Sequence, residues 1–366
     1  LLFGIGLVCL MRQVMIRYFP KTPFALLVLI TLTGLFGCQL PFFITQPVSY
    51  HLTVICAAML IVWGLYFWLS SLKMGERSDS FCRLFVGSFC MALVAAVRPT
   101  LLIYSLLAFP LFGRIWLTKQ EDYEKKEKIR MMASFAIPYV IVAIPVMYYN
   151  YIRFGSVFDF GVNYNLTNMD VGKIPFSLEK IVAAVYGYFI KLPEVRYRFP
   201  YFQQSNGWLE NSRHVIFIGD GLFGSIFFFN SFLLAIVVIF AKRKEFCQKR
   251  LSAFSVMLLG LAVLLMILDV EMTGCVIYRY QADFMFALFI TAWMGILWLQ
   301  EAYAGKLSHG IFRRILIASV FLSVIVNAML WFVPDYMYIY SSYYAFSLAK
   351  GNTQLYYDLY YGFNFW

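Results

Sequence analysis

The sequence predicts an all-α protein, a polytopic bundle of about ten transmembrane helices, and three observations carry that prediction. Hydrophobic residues make up 62% of the 366-residue chain and charged residues only 13%, with a mean hydropathy of +0.73. Soluble domains sit near 45–50% apolar and about 25% charged. The apolar residues also come in runs close to the length that crosses roughly 30 Å of hydrocarbon. Finally, the short alternating segments of a membrane barrel are missing, which leaves helices as the way to satisfy the backbone in lipid.

Taken in order, the runs predict spans near 1–11 (partial), 23–45, 50–70, 84–97, 99–113, 131–150, 222–241, 251–268, 284–300 and 312–333. The chain opens Leu1-Leu2-Phe3 inside an apolar run, with no charged leader, so it reads as a fragment cut inside a longer protein. Cationic residues test the assignment independently. With residue 1 outside, the five loops expected to be cytoplasmic hold 20 Lys and Arg, whereas the short outer loops hold none, Arg98 and Arg279. The long loop 151–221 holds seven, but long loops cross regardless of charge.

Residues 84–113 read as a hairpin rather than one helix, because Pro99 disfavours helix at Arg98 and breaks the ladder. An Arg at the bilayer centre would also cost about 2.5–3.5 kcal/mol. From Arg83 to Arg98 a helix rises only roughly 22 Å, so Arg98 is expected in a recessed cavity open to the outside. Four regions follow: a first membrane half over 1–150, an outer loop 151–221, a second membrane half over 222–333, and an aromatic-rich outer tail 334–366. Within the loop, Ser177 to Lys191 predicts a flat interfacial helix. Leu178, Ile181, Val182, Val185 and Phe189 would share one face, and Lys180, Gly187 and Lys191 the other.

The formal charge of +11 fits cytoplasmic loops and gives no reason to expect nucleic acid. Seven Cys without a CxxC pair and three scattered His offer neither a disulfide framework nor a zinc site. Asn165-Leu166-Thr167 matches a glycosylation acceptor, a triplet common by chance.

Ionisable groups at helix ends beside a membrane cavity are the candidates for chemistry. Arg98 is one. The other is the turn between spans near 251–268 and 284–300, which carries Asp269, Glu271, Arg279, Tyr280 and Asp283. Arg matches phosphate oxygens as a rigid fork, a Tyr ring stacks on a sugar or prenyl chain, and carboxylates suit a divalent cation or sugar hydroxyls. The structural alternative is a local Arg279–Asp283 pair at a helix start, with Asp269 and Glu271 solvating a turn; for Arg98 it is a snorkelling interface residue.

Ala96-Val97-Arg98-Pro99-Thr100, Asn150-Tyr151-Ile152-Arg153-Phe154-Gly155-Ser156 running on to Phe158-Asp159-Phe160-Gly161, and Tyr278-Arg279-Tyr280 with Asp283 together resemble the GT-C-type membrane glycosyltransferases, in particular bacterial enzymes that use polyprenyl-phosphate sugars. The resemblance implies transfer of a hexosyl or pentosyl unit from a polyprenyl-phosphate donor to an acceptor on the outer face of the cytoplasmic membrane. It also implies Arg98 and Arg279 near the lipid phosphate, with Asp283 and Glu271 orienting them or the sugar. The family's catalytic carboxylate lies in the first outer loop, which is expected upstream of Leu1, so no residue here is assigned that role. Two other readings stand beside it. A transporter or flippase would place polar or Gly/Pro-broken segments near the midplane, and an inert membrane subunit would present the 151–221 loop to a partner.

Overall fold

The long apolar runs fold as helices. The computed structural model describes residues 1–45, 49–72, 77–117, 124–161, 164, 175–195, 197, 201–203, 223–304, 307–330 and 332. Among them, six helices are long and apolar enough to cross a membrane: Tyr50–Ser71, Ser80–Val97, Lys125–Phe154, Ser252–Thr273, Tyr278–Ala302 and Gly310–Leu330. Three more apolar stretches, Leu26–Gly37, Pro99–Gly113 and Ser231–Ala241, are shorter. The described chain is otherwise all-α, with one two-residue antiparallel pairing of β1 (Glu194–Val195) and β2 (Phe202–Gln203). The aromatic tail and Asn165 lie outside the described residues.

In chain order the helices are α1 (Leu2–Tyr18), α2 (Leu26–Gly37), α3 (Leu40–Thr45), α4 (Ser49–Ser71) and α5 (Arg77–Val97). A 3-10 helix, Pro99–Leu107, then leads into α6 (Ala108–Leu117) and α7 (Lys125–Phe154). After α8 (Leu178–Val185) come α9 (Ile226–Phe229), α10 (Val237–Ala241), α11 (Arg243–Gln248), α12 (Ser252–Thr273), α13 (Tyr278–Ala302) and α14 (Leu307–Leu330).

Two runs expected as single spans are broken. The run 23–45 stops after Gly37 and restarts at Leu40, with Gln39 at φ +64°, a left-handed turn that ends the helix. The twelve residues of α2 rise only about 18 Å. The run 222–241 breaks at Asn230 between α9 and the 3-10 segment Ser231–Ile236. The two breaks face one another: a β-carbon on Gly37 would sit 2.5 Å from the Asn230 amide oxygen. Asn327 of α14 repairs the second break. Its amide donates to the Phe229 carbonyl at 3.0 Å and to the Asn230 side-chain oxygen at 3.2 Å. A buried backbone acceptor left unmatched in lipid would cost several kcal/mol, so this bond allows the helix to stop where it does. Periodicity carries no trace of such a repair.

The ends of the helices sort into two groups. At one end, Lys249 joins Glu301 at 2.7 Å and the Tyr18 carbonyl at 2.6 Å, and Arg17 donates to the Leu72 carbonyl. At the other, Arg98, the end of α12 and the start of α13 meet. Between them runs α13, the central helix, with Phe284, Phe289, Trp293 and Leu297 fully buried. Gly295 lets it approach the Ala235 carbonyl so closely that a β-carbon would sit at 2.5 Å. The 99–113 stretch does return from Arg98 toward the opposite end. Tyr104 near its start bonds Asp283, whereas Phe112 packs on Trp68 at 6.1 Å, near the far end of α4.

The interfacial helix forms over a shorter length than expected. Ser177 caps α8 by accepting from the Glu179 amide, and a π turn, Tyr186–Ile190, follows. Its two faces are distinct. Lys180, Ala183, Ala184 and Tyr188 are buried, while Leu178 and Val182 are 69% and 63% exposed. The polar side faces the protein because Lys180 reaches Glu271 of α12 at 2.7 Å, and the apolar side is left outward, where lipid can cover it.

Candidate functional site

The site is built where three elements end. Helix α5 stops at Val97 because Pro99 cannot continue it, and Arg98 takes an extended conformation between α5 and the 3-10 helix. Helix α12 stops at Gly274, whose φ of +65° suits a residue without a β-carbon. Helix α13 starts only four residues later, so Asp269 and Asp283 are brought side by side across a tight turn.

Arg98 pairs with Asp283. Its Nε donates to Oδ2 at 3.0 Å and a terminal nitrogen donates to the same oxygen, across 185 positions of sequence. The Asp283 side chain is fully buried and that of Arg98 is 15% exposed, so this is a desolvated ion pair. Arg98 is therefore neither a snorkelling residue nor an isolated cation. Asp283 also feels Arg279 of its own helix, and it accepts hydrogen bonds from Arg98, in the link between α5 and the 3-10 helix.

Asp269 is buried too, and it interacts electrostatically with both Asp283 and Arg98. It does not solvate a turn, because α12 continues past it to Thr273 and carries it inside. Two carboxyls thus crowd one guanidinium. Among the described residues, one oxygen of each (Asp269 Oδ2 and Asp283 Oδ1) is buried without a hydrogen-bond partner, as is the Gln281 Oε1. The two carboxyl groups lie within hydrogen-bonding reach of each other, so one proton shared between them lets both stay buried.

Tyr280 joins the arginines. The Arg98 guanidinium carbon lies 5.6 Å from the Tyr280 ring centroid and that of Arg279 lies 5.3 Å from the same centroid. Arg279 also sits 5.1 Å from the ring of Tyr50, which is half exposed at the start of α4. Of the six residues singled out, Arg98, Asp269, Arg279, Tyr280 and Asp283 come together at one end of the bundle. Glu271 diverges: it binds Lys180 and accepts from the Ser177 amide at 3.1 Å, so it anchors α8 rather than lining the cluster.

Three further residues hold the cluster in place. The Tyr104 hydroxyl donates to the Asp283 carbonyl at 2.9 Å. That of Tyr188 donates to the Ile277 carbonyl at 2.9 Å and accepts from the Ile277 amide at 3.1 Å, which clamps the α12–α13 turn. Lys180 does the same for the end of α12. No sequence signal marked Tyr104 or Tyr188, and the sequence places Lys180 only on the polar face of its helix. A lysine or hydroxyl within an otherwise apolar run was the available clue.

Among the described residues, no group of three or more His, Cys, Asp or Glu is placed to hold an ion, and Glu271 is drawn away to Lys180.

Comparison of the sequence with known protein families and characterised proteins, and of the structure with solved structures, finds no match.

Proposed function

We propose that this chain transfers a sugar from a polyprenyl-phosphate donor to an acceptor at the Arg98 end of a membrane bundle, the outer face of the cytoplasmic membrane. In that bundle α1 and the three shorter apolar segments join the six long helices as spans, about ten in all. One observation carries the reading: guanidiniums from two distant segments, Arg98 and Arg279, flank a single Tyr280 ring over buried carboxyls at one end of the helices. Departure of a lipid phosphate develops negative charge, and preorganised positive groups in a poorly hydrated site stabilise it. Arg279 is the arginine that meets the phosphate. Arg98, neutralised by Asp283, fixes the floor beneath it, and the buried carboxyl oxygens offer acceptors to sugar hydroxyls that enter as the site opens.

The broken runs at Gln39 and Asn230 favour a second reading, lipid movement between leaflets, since discontinuous helices are a feature of transporters. One experiment separates them. The full-length protein in liposomes is given a polyprenyl-phosphate sugar, and both sugar release and leaflet exchange are followed. Transfer with a loss of about 100- to 1000-fold in Arg279→Ala supports the enzyme. Arg279→Lys restores only part, because a point charge lacks the bidentate fork. Leaflet exchange without cleavage overturns it in favour of transport.

A further inference from the structure

A second arginine site lies on the membrane flank of the bundle, apart from the Arg98–Asp283 cluster. Between the end of α5 and the second half of α7 runs a groove of about 430 Å³, within the range of small-molecule sites. Ala96 and Val97 form one wall, Pro145 and Tyr149 the other, and Arg153 lies at its end. Val97 and Pro99, both lining it, flank Arg98 in the chain.

Local structure shapes this groove. Helix α7 ends at Gly155, φ +74°, and the chain folds back. The Asn150 amide holds the Val157 carbonyl at 3.3 Å, and the Asp159 carboxylate accepts from the Gly161 amide at 2.7 Å. Gly161 has φ +83°, and a β-carbon there would meet the Phe154 ring at 2.5 Å. The fold-back places Phe160 over the groove. Pro145 cannot donate to the Ile141 carbonyl, which leaves the helix wall free to bend away from α5.

Arg153 is prepared for an anion. Its guanidinium carbon stands 5.7 Å from the Tyr149 ring centroid and 5.2 Å from that of Phe154, and it donates to the Tyr149 hydroxyl. Among the described residues no carboxylate pairs with it, in contrast to Arg98. The two aromatic rings flank the guanidinium. A largely apolar groove ending in a guanidinium that no carboxylate among the described residues neutralises is complementary to one kind of occupant, an apolar tail with an anionic head.

We infer that the α5–α7 groove binds the phosphate head and first isoprenoid units of a lipid phosphate arriving sideways from the membrane, with Arg153 on the phosphate. The inference rests on the proposed function, since it names where the lipid part of that donor docks. The probe is farnesyl phosphate, titrated against the full chain in nanodiscs, with farnesol and inorganic phosphate alongside. Farnesyl phosphate should bind, Arg153→Ala should weaken it by at least about tenfold, as loss of a charge-assisted hydrogen bond does, and Arg153→Lys should recover part. Ala96→Trp, which fills the groove and leaves Arg153 in place, should weaken it similarly. Equal binding of inorganic phosphate would make the site a free-phosphate site, and unchanged binding in both variants would overturn the groove. With the sugar-bearing donor, Arg153→Ala should raise KM. An unchanged KM beside a collapsed rate in Arg279→Ala leaves the transferase standing and sinks the groove. Farnesyl phosphate binding that depends on Arg153, without any sugar release by the unaltered chain, keeps the groove and sinks the transferase.

Discussion

Helices α13 and α7 have nearly the same mean hydropathy, 1.8 and 1.9, and each carries an arginine near one end, Arg279 and Arg153. Yet 83% of the apolar window of α13 is buried inside the protein and only 17% of that of α7. Hydropathy reports that a segment prefers lipid to water; it does not report whether its neighbours are lipid or protein, because both are apolar. Small residues and polar contacts decide that within a membrane. Helix α13 has Gly295 at a close crossing and Thr291, Gln281 and Asp283 buried among protein. Helix α7 carries Ile144, Tyr148 and Ile152, each 64–65% exposed, on its outer surface. The two arginines differ accordingly: the one at the head of α13 sits over a buried ion pair, and the one at the foot of α7 faces a groove.

Breaking the ion pair below α13 should produce the largest effect. Asp283→Ala leaves the Arg98 guanidinium buried without its partner, and such a change costs about 3–5 kcal/mol. The double change Arg98→Met with Asp283→Leu should be much milder than either single one, because no uncompensated charge remains. Arg153→Ala on α7 removes an exposed contact to a phenol and two rings, and should stay below about 1 kcal/mol. Equilibrium unfolding in mixed micelles measures all of these. If Asp283→Ala were no worse than Arg153→Ala, the buried pair would not be what fixes the end of α13.

Packing at the middle of α13 should come next. A β-carbon at Gly295 meets the Ala235 carbonyl oxygen at 2.5 Å, and a backbone atom cannot swing aside as a side chain can. Gly295→Val should cost about 1–3 kcal/mol, the usual range for an overfilled interior. Gly260 on α12 makes the contrast, since a β-carbon there meets nothing within 4 Å. Gly260→Ala should be neutral or stabilising by up to about 1 kcal/mol through helix propensity. The same unfolding assay decides it, and equal losses at both positions would mean that the α13 crossing is looser than its geometry implies.

How much of this was legible in the sequence follows from the kind of force involved. The helical class and the long segments were readable, because span length and hydropathy are summed properties of twenty residues. The Arg98–Pro99 break was readable from proline chemistry alone, and the reversal of the chain after it is confirmed by Tyr104 and Phe112 at opposite ends. The carboxylate and arginine cluster was also marked, since charge in an apolar chain is conspicuous. Pairing was not: Arg98 chose Asp283 at a separation of 185 residues, where spacing carries no information. For α8, amphipathic periodicity identified two faces without saying which one meets protein. Lys180 turns inward for Glu271, and that bond outweighs the burial of Leu178 and Val182. The break at Asn230 was invisible for a related reason, since Asn327 repairs it from another helix.

The smallest expected effect tests the other half of the comparison. Ile144 sits in the middle of α7 and is 64% exposed. In a soluble protein, truncating an aliphatic side chain loses transfer energy from water, but here the side chain meets lipid whether or not the helices are packed. Only the van der Waals contacts of its minor, protein-facing part are lost. Ile144→Ala should therefore change stability by no more than about 0.5 kcal/mol, the range of ordinary surface substitutions. Alanine's better helix propensity offsets part of that small loss. Unfolding midpoints with and without the change give the answer. A loss near that of a buried isoleucine, about 2–5 kcal/mol, would mean that α7 is covered by protein in the membrane, by a second copy or a partner, and its exposed surface would then be an interface instead of a lipid-facing wall.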